Sequence, residues 1–258
     1  MDVRIAKADY IAGLAKGLSV LEAFDTDRQR LNATLAAQRT GITRAAARRH
    51  LLTLAELGYL ESDGSYYWLS ARVLRLAGSY LASSRLPRTL QPTLNRLAEQ
   101  TQAAFSAVVL EGGECVIVAR SAGAAEPVRH QAHGLHLGAR LPAHATSTGR
   151  VLLAAYAEPE FAAWLKANDL PRITPKTETD KARFANLIAE VRTQDYCLAR
   201  DGHEIGIHAL AVPLRNVRGQ TLAALNVVGT AEQLHDAAVQ NHWLPLLLGA
   251  AAELRPML

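Results

Sequence analysis

Residues Ile42 to Leu60, ITRAAARRHLLTLAELGYL, decide how the first third of this chain is read. Thr40-Gly41 just before them predicts a tight turn, and the stretch itself reads as a helix of about four turns. Arg44 and Arg48 are four apart and share a face, with Thr43 and Arg49 beside them. Ala47, Leu51 and Leu54 fall on the opposite face at i, i+4 and i+7. An apolar back that packs on a small domain and a short basic front are what a helix entering a DNA major groove requires. Arginine's fork suits guanine O6 and N7, or a phosphate. Thr43 and Arg44, at the helix start, are best placed to reach base edges. Spacing does not separate base readers from phosphate anchors among Arg44, Arg48 and Arg49. His50 falls either toward phosphate or on the flank of the helix.

The flanks fit the same picture. Ile11, Leu14, Leu18, Leu21 and Phe24 recur at helical spacing, predicting a first helix over Tyr10 to Phe24 that ends at Asp25-Thr26-Asp27. Asn32 is a natural N-cap for a second helix, Ala33 to Thr40, and Thr43 for the third. Gly41 supplies left-handed geometry between them, and the Ala37/Gly41 spacing suggests close helix approach. Asp63-Gly64, set between Tyr59-Leu60-Glu61 and Tyr66-Tyr67-Trp68-Leu69, signals a hairpin. Helix, helix-turn-helix, hairpin is the order of a winged helix-turn-helix. A helical bundle edge with solvated arginines explains the charge but not that order.

Composition narrows the class. The 258 residues allow one large domain or two ordinary ones, and no apolar run approaches the roughly 20 residues of a membrane span. The start, MDVRIAKADY, lacks the apolar core of a signal peptide, so a cytoplasmic location is expected. Cys115 and Cys197 sit among apolar neighbours and read as buried free thiols. Through Leu86 there are 12 Lys/Arg against 8 Asp/Glu, while the remainder balances, so the net charge of +4 lies in the first third. That is where attraction to double-stranded DNA is wanted.

The segments GLAKGLSVLEAF, TGITRAAARRHLLTLAELGYL and YYWLSARVLRLAGSYLASSRLP together resemble the IclR family of bacterial regulators. Within it they are most similar to the activators of protocatechuate and 4-hydroxybenzoate catabolism. The resemblance implies an α+β chain with an N-terminal winged helix-turn-helix, a linker helix and a C-terminal GAF-like effector-binding domain. Expected boundaries are 1–70, 71–84 and 85–258. Ala71 to Ser84 carries Val73, Leu76, Tyr80 and Leu81 along one side, with Arg85-Leu86-Pro87 expected to end the helix. A homodimer or tetramer is implied, since paired half-sites need paired recognition helices.

Beyond the linker, the pattern predicts a helix over Leu90 to Thr101 and a hairpin of Phe105–Leu110 with Cys115–Ala119. Three helices follow, over Thr146–Tyr156, Glu158–Asn168 and Asp180–Gln194. Strands His208–Leu214 and Thr221–Val228 flank the turn at Asn216 to Gly219. A closing helix spans Asp236–Leu254, interrupted near Pro245. Hairpins mixed with helices point to a mostly antiparallel sheet.

Gly138 to Ala154, GARLPAHATSTGRVLLA, runs a loop of small residues into a helix start at Thr146-Ser147-Thr148. Free N–H groups and hydroxyls there suit a carboxylate, although a plain capped helix explains the same residues. The resemblance favours a ligand site. It implies effector contacts from Leu141, Ala143, His144, Thr146, Ser147 and Thr148, and from His208, Ala209 and Asn226, with Asp201 or Glu204 at the mouth. Relatives often carry serine or cysteine where Ala209 and Asn226 stand, which leaves the effector open among 4-hydroxybenzoate, protocatechuate and 3-oxoadipate. Arg129, Arg140 and Arg150 are candidate cations for a carboxylate, and His130, His136, His144 and His208 candidate partners for a phenol oxygen.

A metal site on His130, His133 and His136 has the wrong spacing for one helix face, so no metal is expected. No P-loop, GxGxxG, GxSxG or HExxH occurs, so no cofactor or catalytic centre is expected. Two functions compete on these grounds. One is a DNA-binding activator whose DNA affinity or RNA polymerase contact responds to a small aromatic or dicarboxylic acid. The other is a small-molecule enzyme on the C-terminal domain with a basic interaction module.

Overall fold

The computed structural model describes residues 5–25, 28–121 and 136–258 and divides the chain into two compact units, Met1–Ser83 and Ser84–Leu258. In the first unit, α1 (Ala12–Glu22), α2 (Ala33–Thr40) and α3 (Arg44–Glu56) precede a hairpin of β1 (Leu60–Ser62) and β2 (Tyr67–Leu69). Local chemistry sets each boundary. The Asn32 side chain accepts from the N–H groups of Thr34 and Leu35, Gly41 turns at φ 71°, and the Thr43 hydroxyl accepts from Ala46 N–H. A Cβ at Gly41 would meet nothing within 4 Å, so the glycine serves the left-handed turn and not close packing. The small residues at the helix contact are Ala36 and Ala47, both fully buried beside Leu31 and Leu51. In the wing, Asp63 accepts from the N–H groups of Ser65 and Tyr66 and pairs with Arg30, whose guanidinium lies 4.6 Å from the Trp68 ring centre.

Of the expected apolar stripe only Phe24, just past α1, is buried, and the buried side of the helix is supplied by Val20 and Ala23 instead. Val20, Ala23 and Phe24 enter the core, whereas Ile11, Leu14 and Leu18 stay exposed. Of the predicted helix end, Thr26 and Asp27 lie outside the described residues.

After a short 3-10 turn, α4 (Leu74–Ser83) leaves Leu74, Leu76 and Tyr80 exposed. Proline does not close this region as expected. The break is at Ser84, whose ψ of 124° is extended, and α5 (Arg85–Thr101) starts at once with Pro87 in its first turn. There the missing N–H has no helical acceptor to lose. Pro92 is a true interior proline, tolerated on the exposed side while Leu90, Leu94 and Leu97 are buried.

The second unit is built on a fully antiparallel six-stranded sheet. Its strands are β3 (Ala104–Glu111), β4 (Glu114–Arg120), β5 (Arg140–Pro142), β6 (Cys197–Arg200), β7 (Ile207–Arg215) and β8 (Thr221–Thr230), in the order β5-β4-β3-β8-β7-β6. Strand alternation gives it two apolar faces. Phe105, Ala107, Leu210, Val212, Leu225 and Val227 pack on α5 and the closing helix α9 (Leu244–Leu254). Val108, Cys115, Ile117, Ala211 and Ala224 face α6 (Ser147–Ala154), α7 (Glu158–Ala167) and α8 (Lys181–Gln194). Phe161, Trp164 and Phe184 cluster there with ring centres 6.2 to 6.4 Å apart. The interruption expected near Pro245 is a π-helical segment, Val239–Trp243, in which Leu244 N–H reaches back five residues to the Val239 carbonyl.

Candidate functional site

Arg44, Arg48 and Arg49 stand exposed on α3, and no carboxylate pairs with them among the described residues. Thr43 is exposed at the helix start, with its hydroxyl committed to Ala46 N–H at 3.3 Å. Ala47 and Leu51, the back of the helix, are fully buried. His50 lies on the flank, half-buried, so near α1 that a Cβ on Gly17 would stand 3.6 Å from its Nδ1.

In the second unit, a cavity partly open to solvent lies between the sheet and the start of α6, with about 590 Å³ of empty space when the open solvent at its mouth is included. Of the nine expected effector residues it gathers six: Leu141, Thr146, Ser147, Thr148, Ala209 and Asn226. Thr146 caps α6, accepting from Gly149 N–H at 3.2 Å and donating to the Pro142 carbonyl at 3.3 Å. The N–H groups of Ser147 and Thr148, at the first two helical positions, have no acceptor within the helix. Ser147 is 1% exposed, and its Oγ has no hydrogen-bond partner among the described residues. A buried hydroxyl on a cavity wall, beside N–H groups that have no acceptor within the helix, is an arrangement that can hold an anion.

The other three expected residues are elsewhere. Ala143 is fully buried beneath Gly149, and His144 Nε2 is 2.9 Å from the Pro171 carbonyl. His208 stands between Ile207 and Ala209, which both line the cavity, so alternation turns its ring to the other face of the sheet. There its Nε2 is 3.8 Å from Asp201, and its Nδ1 has no partner among the described residues. Asp201 is spent on its own loop: at φ 55° it accepts from Gly206 N–H at 2.7 Å. Glu204, the alternative at the mouth, does line the cavity.

The two described candidate cations do not line the cavity. Arg140 pairs with Glu114 at 2.7 Å, and Arg150 donates to the His144 carbonyl at 3.0 Å; neither lines the cavity. His136 is exposed, its Nδ1 2.9 Å from the Leu137 carbonyl. Arg129, His130 and His133 lie outside the described residues. Among the described residues no three metal-ligating side chains stand together, and no helix is long and apolar enough to cross a membrane.

Several lining residues escaped sequence reasoning. Ser106, Val108 and Ile117 form the floor from β3 and β4, and Ala199, Ile207 and Val228 extend it. Gly202 and His203 close one side through a loop held by two buried threonines. Thr174 donates to the Asp201 carbonyl at 2.6 Å and Thr177 to that of Gly202 at 2.7 Å. Burial, and then the proximity of His144, lowers the His203 pKa below its ordinary value of 6.5. Burial likewise lowers that of His144, and it pushes the Cys115 thiol up to about 11. Ser106 carried no signal beyond its alternation in an apolar strand.

Two family models match this arrangement, the IclR helix-turn-helix domain over residues 13–64 and the bacterial transcriptional regulator IclR C-terminal domain over residues 78–255. The chain belongs to the IclR family. Within the family it is 50% identical to the p-hydroxybenzoate hydroxylase transcriptional activator of Acinetobacter baylyi, covering 97% of this chain and 93% of that protein. It is 46% identical to the Pca operon regulatory protein of the same organism, covering 98% and 91%. Two solved family structures hold hydroxybenzoates. The PobR inducer-binding domain from Acinetobacter, a double mutant with 3-hydroxybenzoic acid, is 42% identical, with a TM-score of 0.63 over 67% of this chain and 98% of that one. An IclR homologue from Microbacterium hydrocarbonoxydans, complexed with 4-hydroxybenzoate, is 28% identical, with a TM-score of 0.73 over 95% and 98%.

Proposed function

We propose that this chain is a transcriptional activator of aromatic-acid catabolism genes, binding promoter DNA through α3 and a hydroxybenzoate-type acid in the cavity beneath α6. The observation that carries the reading is Ser147: a buried, unpaired hydroxyl at a helix start, facing an apolar slot. The acid's carboxylate sits against the Ser147 and Thr148 hydroxyls and the free N–H groups, where the helix dipole favours negative charge. Its ring lies between Leu141 and Ile117 on one side and Ala209 and Val228 on the other. Relatives named for p-hydroxybenzoate and pca control, and family structures holding 3- and 4-hydroxybenzoate, support this class of effector.

Thr43, Arg44, Arg48 and Arg49 form the DNA-reading front. The working division is 1–70 for DNA, 71–84 for the linker helix and 85–258 for the effector domain. The chain acts in the cytoplasm as a homodimer or tetramer that presents two recognition helices to paired half-sites. The acid shifts the assembly between arrangements that differ in DNA affinity or in contact with RNA polymerase.

Against an enzyme, Ser147 Oγ has no base within hydrogen-bond reach to activate it, although His203 and Glu204 line the same cavity. Calorimetry with 4-hydroxybenzoate, protocatechuate and 3-oxoadipate tests the effector reading. An aromatic acid bound at one site per chain, with no turnover, is expected. Binding of 3-oxoadipate alone, or consumption of any acid, would replace it.

A further inference from the structure

We propose that Ser106 and Asn226 select the ring hydroxyl of the effector, Asn226 as the donor that meets its oxygen and Ser106 as the residue that orients the amide. The inference rests on the aromatic-acid reading above and deepens it from an acid with a ring to an acid whose ring must carry a hydroxyl. The two residues are 120 positions apart in sequence, but the β3–β8 register sets them directly opposite each other. Both side chains line the cavity, on a floor whose other members, Val108, Ile117, Ala209 and Val228, are apolar.

The Ser106 hydroxyl donates to Asn226 Oδ1 at 2.7 Å. That bond occupies the carbonyl side of the amide and fixes its plane. The amide N–H groups then have no partner among the described residues, although Asn226 is only 7% exposed. The amide nitrogen keeps access to the water of the partly open cavity, so a ligand that covers it must replace that hydrogen bond or lose it. A ring hydroxyl matches the pair on both counts: its oxygen accepts from Asn226 Nδ2–H, and its proton is donated to a lone pair on Ser106 Oγ. Benzoate, with hydrogen in place of the hydroxyl, displaces water from the amide and returns nothing. The cavity thus has an anion end at Ser147 and a hydroxyl-reading element on its floor.

The test is calorimetry of the full chain with benzoate, 3-hydroxybenzoate and 4-hydroxybenzoate, for the wild type, Asn226→Leu and Ser106→Ala. The wild type should bind at least one hydroxybenzoate about ten- to a hundredfold tighter than benzoate. Asn226→Leu should bring that ratio to within about threefold while benzoate binds as well as before or better. Ser106→Ala should give an intermediate ratio with benzoate affinity unchanged, a pattern that general damage to the fold does not produce. Selection by Asn226 is overturned if Asn226→Leu keeps the wild-type ratio or weakens all three acids alike. The orienting role of Ser106 is overturned if Ser106→Ala leaves the ratio unchanged. A wild type that binds all three equally defeats this inference alone, whereas one that binds none defeats the aromatic-acid reading with it.

Discussion

A Cβ placed on Gly149 would overlap the backbone carbonyl of Ala143, so the first turn of α6 lies directly against the 3-10 turn that precedes it. This contact folds the Pro142–Thr146 segment under the helix and aims Ser147 and Thr148 into the cavity. Because the obstacle is backbone, no rotamer change relieves it. Gly149→Ala should cost about 1–3 kcal/mol by overpacking and weaken effector binding further by moving the anion cradle. Melting temperature and acid affinity measured on the same preparation check this; unchanged values for both would mean that the helix start is free to shift.

Ser147→Ala should separate stability from binding. The substitution removes a buried hydroxyl that has no partner, so the free protein should melt at the same temperature or slightly higher. The acid-bound protein should lose part of its ligand-induced stabilisation, with affinity for a hydroxybenzoate down about tenfold. Thermal shift with and without acid reads both effects. A variant that is less stable without ligand and binds acid normally would make Ser147 a structural residue.

Among the described residues, Arg44, Arg48 and Arg49 have no carboxylate to release on meeting a phosphate. Each arginine that holds a phosphate contributes about 0.9 to the slope of log affinity against log salt, and its alanine variant should lower that slope by as much. An arginine that reads a guanine should instead cost about 1–3 kcal/mol and relax preference at one base pair. Anisotropy titrations of Arg44→Ala, Arg48→Ala and Arg49→Ala over a salt series sort the three. Wild-type slopes and affinities in all of them would move the interface off α3.

His144, buried, and His203, half-buried, should give the second unit a pH-dependent stability. His144 and His203 are each lowered, chiefly by burial, below the ordinary value of 6.5. The unfolded chain therefore takes up protons in a range where the folded chain does not, and stability rises with pH there. Their contribution is complete above about pH 6.5 and is lost as pH falls toward the folded values. Melting of the wild type from pH 7.5 to 5.5 should show this decline, and His203→Gln should flatten it. An identical profile in the variant would assign the decline to other groups.

Local chemistry made the DNA-binding unit legible. Asn32, Gly41, Thr43 and Asp63-Gly64 each act within a few residues of their own position, and the structure uses each where it stands. The cavity was half legible for the same reason. Thr146, Ser147 and Thr148 announce a helix start locally, but Ser106 meets Asn226 only through strand pairing across 120 residues. The misplacement of His208 is one of parity. Its neighbour Ala209 faces the cavity, and a one-residue step along a strand reverses the face. β5 and β6, three and four residues long at the two sheet edges, are too short to show a period of two. The division of α1 into a buried and an exposed apolar face was equally hidden, because its residues repeat at helical spacing on both.

The coupling of acid to transcription is tested most directly by run-off transcription with purified RNA polymerase, from a promoter that the purified full chain protects in a footprint. With the chain present, transcript should rise on addition of 4-hydroxybenzoate or protocatechuate and stay at its basal level with benzoate. Transcript that is the same with and without these acids, at concentrations that saturate the protein in calorimetry, would contradict the account.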